Sequence, residues 1–158
     1  MKIRCAVLGP DGKIPRKHAH RRVEGAENLS PPLTWSDVPP GTKQLCLSVI
    51  DLHPVARRWV HWAVVAIPPE AEGIPEGASG SKDRMPRGCR ELSNSYGEVG
   101  YGGPNPPRGS GSHDYRFTLY AMNTDRPVPS GLLSSPSFDS LLRDSLLASA
   151  HVAGTFEL

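Results

Sequence analysis

Four side chains that can hold an anion or move a proton lie near the ends of apolar runs in this sequence. Asp51 ends one run, His61 lies inside the next, and His113 and Tyr115 lead into a third. A carboxylate, two imidazoles and a phenol can together bind a small anion or activate water. His113 and Tyr115 are two positions apart, so a strand that includes both directs them to the same face.

A segment rich in glycine and proline, residues 100–107, precedes His113 and reads Gly-Tyr-Gly-Gly-Pro-Asn-Pro-Pro. Glycine permits close backbone approach, so the N–H groups of such a segment can point at an anion. The segment matches neither the P-loop nor the dinucleotide-binding Gly-x-Gly-x-x-Gly pattern. We predict a small anion-binding pocket here, in which Asp51 orients His61 and raises its pKa. His61, His113 and Tyr115 then donate to the anion.

Structural and catalytic interpretations of the same residues remain open. Asp51 can simply cap a turn, and a histidine on an apolar strand is more often a satisfied core residue than a ligand-binding one. Two histidines and a carboxylate also describe a metal site, but nothing shows that the ligands converge, and neither metal nor cofactor is predicted. A phosphatase- or esterase-like hydrolase using Asp51 and His61 is the alternative function. No Gly-x-Ser-x-Gly nucleophile motif is present, and no catalytic residue is assigned.

Size and composition narrow the class of protein. The 158 residues are predicted to form one domain, residues 1–158, and 37% hydrophobic with 22% charged residues is typical of a globular chain. Lys and Arg number 18 against 16 Asp and Glu, a balance that argues against nucleic-acid binding. No segment has the roughly 20 apolar residues of a membrane span. The N-terminus also lacks a secretion-signal pattern, so a cytoplasmic location is predicted.

Short apolar runs separated by glycine and proline predict a mainly β protein, an antiparallel sandwich of two sheets with Pro/Gly-rich loops. The predicted strands are residues 3–8, 44–51, 59–67, 115–122 and 152–158. Residues 31–35 are predicted to be an edge segment, because proline cannot donate to a sheet. With a period of two, positions 59, 61, 63, 65 and 67 share one face of their strand. Residues 70–95 are predicted to be a long irregular excursion.

One short peripheral helix is predicted near the C-terminus. Ser135 is a suitable N-cap and Pro136 a suitable first helical residue. An apolar stripe follows at helical spacing, at Phe138, Leu141, Leu142 and Leu146. Ala150 lies at the edge of this stripe if the helix extends that far.

Seven segments in a fixed order, spread over nearly the whole chain, form a specific pattern. They are Asn-Leu-Ser-Pro-Pro-Leu-Thr-Trp at 28–35, Val-Pro-Pro-Gly-Thr-Lys at 38–43, Val-His-Trp at 60–62, Ile-Pro at 67–68, the segment at 100–107, His-Asp-Tyr-Arg-Phe-Thr-Leu-Tyr-Ala at 113–121 and Gly-Thr-Phe at 154–156. With this set the chain resembles the phosphatidylethanolamine-binding protein family, in particular its bacterial, Raf-kinase-inhibitor-like branch.

The resemblance implies a two-sheet β fold with a small pocket for phosphate-like or carboxylate anions, and a binding or regulatory module rather than an enzyme. The family's ligand-binding positions fall on Asp51, Trp59, His61, Gly103, Asn105, Pro106, His113 and Tyr115. Trp59 is implied as a wall of the pocket and the backbone N–H of Asn105 as a donor. The resemblance also implies a homodimer, and the role of eukaryotic relatives implies a protein partner such as a kinase.

One position departs from the family pattern. Where the family usually reads Asp-Pro-Asp-Ala-Pro, this chain reads Asp-Leu-His-Pro from Asp51, so His53 replaces the second acid. If His53 lines the mouth of the pocket, the local charge becomes more positive. We then expect a site that favours anions and holds an ammonium head group poorly, which argues against phosphatidylethanolamine itself as the ligand.

Overall fold

The computed structural model describes residues 1–126 and 143–158 and places them in two antiparallel sheets. The smaller sheet has the strand order β1 (Lys2–Cys5), β2 (Leu33–Ser36) and β5 (Gly73–Ile74). The larger sheet has the order β6 (Arg90–Glu91), β4 (Val60–Ile67), β3 (Gln44–Asp51), β7 (His113–Met122) and β8 (Leu146–Phe156). Two short 3-10 turns cover Arg16–His18 and Pro54–Ala56. The predicted mainly β, two-sheet antiparallel fold is confirmed.

The centre of the larger sheet is strand β3, which pairs with β4 on one side and β7 on the other. Its eight residues are almost entirely buried, as the nearly continuous apolar run at 44–51 predicts. Register pairs Val49 with Phe117 and Asp51 with Tyr115. The pairing of β3 with β7 therefore brings the predicted acid and phenol to the same end of the sheet.

The main core lies between the two sheets. Leu33 and Trp35 face it from the smaller sheet, and Leu47 and Phe117 face it from the larger one. Fully burying side chains of this kind stabilises the fold by about 1.5–3 kcal/mol each. A second, smaller cluster contains Val65 and packs apart from this core.

A bulge at the start of β4 corrects the prediction that its odd-numbered residues share one face. Val49 pairs with Trp62 and Ile50 pairs with Val60, so His61 is the extra residue between two pairs. The bulge lets His61 approach Tyr115, with ring centroids 5.1 Å apart, although Ala63 and Val65 join the second cluster.

Ile67 differs from Ala63 and Val65 because of a second irregularity. Ala66 has a positive φ of 55°, and the register between β3 and β4 shifts close to this residue. Ile67 therefore packs into the core between the sheets. The alternation of side chains between the two faces of β4 is therefore interrupted near both ends of the strand.

Other predicted boundaries also change. The segment at 31–35 was predicted to be an edge, but β2 lies between β1 and β5, and the two prolines simply precede it. The excursion at 70–95 contributes β5 and β6, and the first strand ends at Cys5.

The C-terminal prediction is corrected in part. Positions 135–142 of the predicted helix lie outside the described residues. Leu146 begins strand β8 and pairs with Met122, and Ala150 pairs with Leu119. Extension of the helix to Leu146 or Ala150 was therefore wrong, and the last strand starts earlier than residue 152.

Candidate anion-binding site

A cavity of about 410 Å³ opens where β3, β4 and β7 end near the segment at 104–107. Seven of the eight predicted ligand-binding residues line it: Asp51, Trp59, His61, Asn105, Pro106, His113 and Tyr115. Gly103 is not among the lining residues. The remaining lining residues are Arg22, Val55, Ala56, Ser95, Tyr96 and Pro107.

Asp51 pairs with His113 and not with His61. Its Oδ2 lies 2.6 Å from Nδ1 of His113, and both side chains are buried. Its Oδ1 accepts the backbone N–H of His53 at 2.8 Å. The prediction that Asp51 orients His61 was therefore wrong, because the bulge and the β3–β7 pairing give the carboxylate a different imidazole.

The second nitrogen of His113 is also engaged. Its Nε2 lies 2.9 Å from Oγ of Ser110, whose hydroxyl donates to the Pro107 carbonyl at 2.6 Å. The Asp51 carboxylate and the Ser110 hydroxyl therefore engage both ring nitrogens of His113 within the fold.

His61 is held as a neutral ring. Its Nδ1 lies 2.7 Å from the Gly102 carbonyl, which can only accept, so Nδ1 carries the proton. Burial lowers the pKa of His61 to about 4, against smaller raising effects of the Gly102 carbonyl and Asp51. At neutral pH the ring is uncharged and Nε2 is an acceptor. The predicted raised pKa and imidazolium at His61 were therefore wrong.

The glycine-rich part of the loop, residues 100–103, is not a set of free donors. Every one of its N–H groups is taken: Gly100 by the Leu92 carbonyl at 3.2 Å, Tyr101 by Ser79 Oγ at 2.8 Å, Gly102 by the His61 carbonyl at 2.8 Å and Gly103 by Asn28 Oδ1 at 2.8 Å. The prediction of an anion-binding nest here was wrong.

Gly103 has a packing role. A Cβ added to it would lie 2.1 Å from the His18 carbonyl oxygen and 2.6 Å from the His20 nitrogen. Only glycine allows the loop to lie this close to the backbone of residues 18–20. This contact explains why Gly103 is absent from the cavity wall.

The next part of the loop offers one backbone donor. Pro104, Pro106 and Pro107 have no N–H, so Asn105 supplies the only one in the segment at 104–107. Within residues 1–126 and 143–158 no acceptor takes the Asn105 N–H. Because Asn105 lines the cavity, this N–H is the loop's candidate donor to a ligand.

Tyr115 is the second candidate donor. Its side chain is buried, and its hydroxyl has no hydrogen-bond partner among the described residues. Burial raises the pKa of Tyr115, and the nearby Asp51 carboxylate raises it further. The phenol therefore stays protonated and can donate.

Sequence reasoning missed Tyr96 as a wall of the cavity. Its ring contacts Trp59 edge-on, with centroids 5.3 Å apart, and stacks on His20 at 4.3 Å. Its hydroxyl donates to the Gly103 carbonyl at 3.0 Å. Tyr96 directly follows the stretch interpreted as an irregular excursion, where no periodicity indicated its position.

Arg22 also lines the cavity and is exposed to solvent. The sequence shows it only as one of several basic residues near the N-terminus. His53, by contrast, does not line the cavity. Its ring stacks on His113 with centroids 3.9 Å apart, so the condition that it lies at the mouth of the pocket is not met.

Metal ligation has no structural support within the described parts of the chain, where no group of three or more His, Cys, Asp or Glu side chains could hold an ion.

In the described parts of the chain, no helix is long and apolar enough to cross a membrane. A relative in Mycobacterium tuberculosis, provisionally named lipoprotein LppC, is 37% identical over 130 residues, which are 82% of this chain and 61% of LppC. The cytoplasmic location therefore stays a prediction.

A family model, a sequence relative and a solved structure all match this chain over most of its length. The family model described as phosphatidylethanolamine-binding protein matches residues 6–157. The UPF0098 protein YbhB of Escherichia coli is 34% identical over 128 residues, 80% of this chain and 80% of YbhB. The crystal structure of Escherichia coli YbcL, described as a new member of the mammalian PEBP family, has a TM-score of 0.84 and 31% identity, covering 99% of this chain and 98% of YbcL. Matched length, identity and shared fold show that this chain belongs to the phosphatidylethanolamine-binding protein family.

Proposed function

We propose that this protein binds a small oxyanion, free or as the phosphoryl group of a larger ligand, in the cavity at the ends of β3, β4 and β7. The observation that carries the proposal is the Tyr115 hydroxyl, which is buried at the cavity beside the Asp51 carboxylate and makes no close hydrogen bond to the described residues. Leaving a buried hydroxyl unpaired costs about 1–3 kcal/mol. A ligand oxygen that accepts its proton removes that cost.

Three further features support an oxyanion. The Asn105 N–H is a second unpaired donor, Arg22 adds a positive charge, and the Asp51 carboxylate is already engaged by His113 and by the His53 N–H. We therefore propose a phosphate or phosphoryl group as the first ligand to test.

The partner and the setting are part of the proposal. A phosphorylated protein such as a kinase presents the same chemical group, so a regulatory role needs no second site. We propose a homodimer, as the resemblance implies, and a cytoplasmic location. Asp51 and His113 act as positioning residues here, because each is already bonded to the other and to a second group.

Two tyrosine variants test the proposal. In Tyr115→Phe an unpaired hydroxyl is removed, so we expect the free energy of unfolding to stay equal or rise by about 1 kcal/mol while phosphate affinity falls roughly tenfold or more. Tyr101→Phe is the matched control, since the Tyr101 hydroxyl donates to the His18 carbonyl at 2.8 Å and Tyr101 does not line the cavity. It should lose about 1–3 kcal/mol of stability and keep its affinity.

Calorimetric titration with inorganic phosphate and urea denaturation measure both quantities. Unchanged phosphate affinity in Tyr115→Phe, or no phosphate binding to the wild type, would contradict the proposal. Loss of stability in Tyr115→Phe equal to that in Tyr101→Phe would show that the Tyr115 hydroxyl has a structural partner instead.

Hydrolysis is the second candidate, and one observation favours it. Asp51, His113 and Ser110 form a chain of hydrogen bonds of 2.6 and 2.9 Å in the order found in serine hydrolases. It differs from the Asp51 and His61 pair that the sequence suggested. The Ser110 hydroxyl donates to Pro107, and Ser110 is not among the lining residues, so this function ranks second. Turnover of p-nitrophenyl acetate that Ser110→Ala abolishes would establish it.

A further inference from the structure

We infer that the cavity selects oxyanions that carry a proton, namely hydrogenphosphate and phosphate monoesters, over oxyanions that carry none, such as sulfate and phosphodiesters. The residue that determines this specificity is His61. The inference rests on the proposed function, since it concerns which oxyanions the same cavity accepts.

His61 is fixed in one orientation by two hydrogen bonds to a single residue. Its Nδ1–H donates to the Gly102 carbonyl at 2.7 Å, and the Gly102 N–H donates to the His61 carbonyl at 2.8 Å. Turning the ring over would leave a buried carbonyl without a donor. Nε2 is therefore the ring nitrogen left for a ligand, although the Gly103 backbone also lies close to the ring and favours its charged form.

The surroundings of His61 keep Nε2 without a proton. Asp51, on the neighbouring strand, favours the charged ring, and His20 from the N-terminal region opposes it. Tyr115 and Tyr96 contact the ring edge-on as neutral phenols, with centroids 5.1 and 5.7 Å away. Burial outweighs all of these and lowers the pKa of His61 to about 4.

Arg22 also lines the cavity, and its positive charge favours anions without protonating them. The Asp51 carboxylate also lies at the cavity wall, and its oxygens can accept hydrogen bonds from a ligand but cannot donate them. A ligand oxygen beside His61 must therefore bring its own proton.

The candidate ligands differ in whether they carry, or can take up, a proton near neutral pH. Hydrogenphosphate keeps one P–OH, which donates to Nε2 of His61, while its other oxygens accept from Tyr115 and Asn105. A phosphate monoester dianion has no such proton, but its pKa of about 6 lets it take one from solvent on binding. Sulfate and phosphodiesters bind a proton only in strong acid, so their oxygen lone pairs face the lone pair of Nε2.

The test compares hydrogenphosphate with sulfate at about pH 8, where the two dianions have equal charge and similar size and differ by the proton. We expect calorimetric titration to give roughly 10- to 100-fold tighter binding of phosphate. In His61→Gln the amide can turn to donate, so the ratio should fall toward one. His151→Gln, an exposed position on β8, is the matched control and should keep the wild-type ratio.

A monoester gives an independent readout. Phenyl phosphate titrated at about pH 8 in two buffers of different ionisation heat should show uptake of about one proton per site, and dimethyl phosphate should bind far more weakly. Equal affinity for phosphate and sulfate in the wild type would overturn the inference while leaving oxyanion binding intact. Absence of binding by both ions would overturn the proposed function and this inference with it. The wild-type ratio decides whether the cavity selects protonated oxyanions even if His61→Gln fails to fold.

Discussion

Two buried polar regions meet at the glycine- and proline-rich loop, and they differ in how their hydrogen bonds are satisfied. In the packed half, residues 100–103, every N–H has an acceptor, and the Tyr101 hydroxyl donates to the His18 carbonyl. In the cavity half, the Asn105 N–H and the Tyr115 hydroxyl have no partner among the described residues. Buried polar groups are nearly always paired, so the contrast locates the surface that a ligand completes.

The two histidines on the cavity wall show the same contrast in their hydrogen bonds. His113 has a partner at both ring nitrogens, the Asp51 carboxylate and the Ser110 hydroxyl. His61 has one carbonyl acceptor and a burial that keeps it neutral. One imidazole therefore belongs to the supporting framework, and the other retains capacity for a ligand.

The largest expected effect comes from a substitution in the packed half of the loop. In Gly103→Ala the new Cβ would lie 2.1 Å from the His18 carbonyl oxygen, so the loop must move away. We expect the free energy of unfolding to fall by at least about 3 kcal/mol. Gly109→Ala is the control, because nothing lies within 4 Å of its Cβ and only the strain of its φ of 78° remains, costing about 1 kcal/mol. Equal losses in urea denaturation would contradict the close approach.

The pH dependence of stability sharpens the contrast between the histidines. The folded pKa of His61 is about 4, below its ordinary value of 6.5, so the unfolded chain binds the extra proton between these values. The free energy of unfolding should fall as pH drops from 6.5 to about 4, by up to about 3 kcal/mol from His61. His18 and His20 act in the same direction.

The His61→Gln variant isolates that contribution. Its free energy of unfolding should change less between pH 6.5 and about 4 than that of the wild type, because the other groups are common to both proteins. Parallel curves in urea denaturation at several pH values would show that His61 is not held neutral.

The smallest expected effect concerns the charge behind His113. His53 stacks on that ring, and its backbone N–H donates to Asp51. In His53→Asp the cap of the following 3-10 turn is kept, since Asp is a good N-cap, but one negative charge is added near Asp51. We expect phosphate affinity to fall by only roughly threefold, because solvent screens a charge at a partly exposed position. Tighter phosphate binding by the variant would contradict this sign, and unchanged binding would show that His53 does not influence the cavity.

Much of the fold was predictable from pattern. The runs at 44–51 and 115–122 are strands because their apolar side chains are buried on both faces, and their pairing placed Asp51 and Tyr115 together. The bulge at His61 was not predictable, since no residue of that run departs from a regular strand pattern. An error of one residue there changes which face an imidazole occupies.

Which residues line the cavity was also largely predictable from the sequence, and which hydrogen bonds they make was not. Seven of the eight predicted residues line one cavity, because the motif fixes which residues meet. Which imidazole Asp51 contacts depends on register, and whether a glycine N–H is free depends on partners as distant as Asn28. Tyr96 and Arg22 carried no local signal that linked them to the cavity.

An amide NMR titration with inorganic phosphate tests the division of the loop most directly. If the cavity half binds the anion, the Asn105 amide proton should move further than any amide of residues 100–103, and it should stop moving at saturation. An unmoved Asn105 signal with large shifts at Gly102 and Gly103 would place the anion on the packed half and contradict the division.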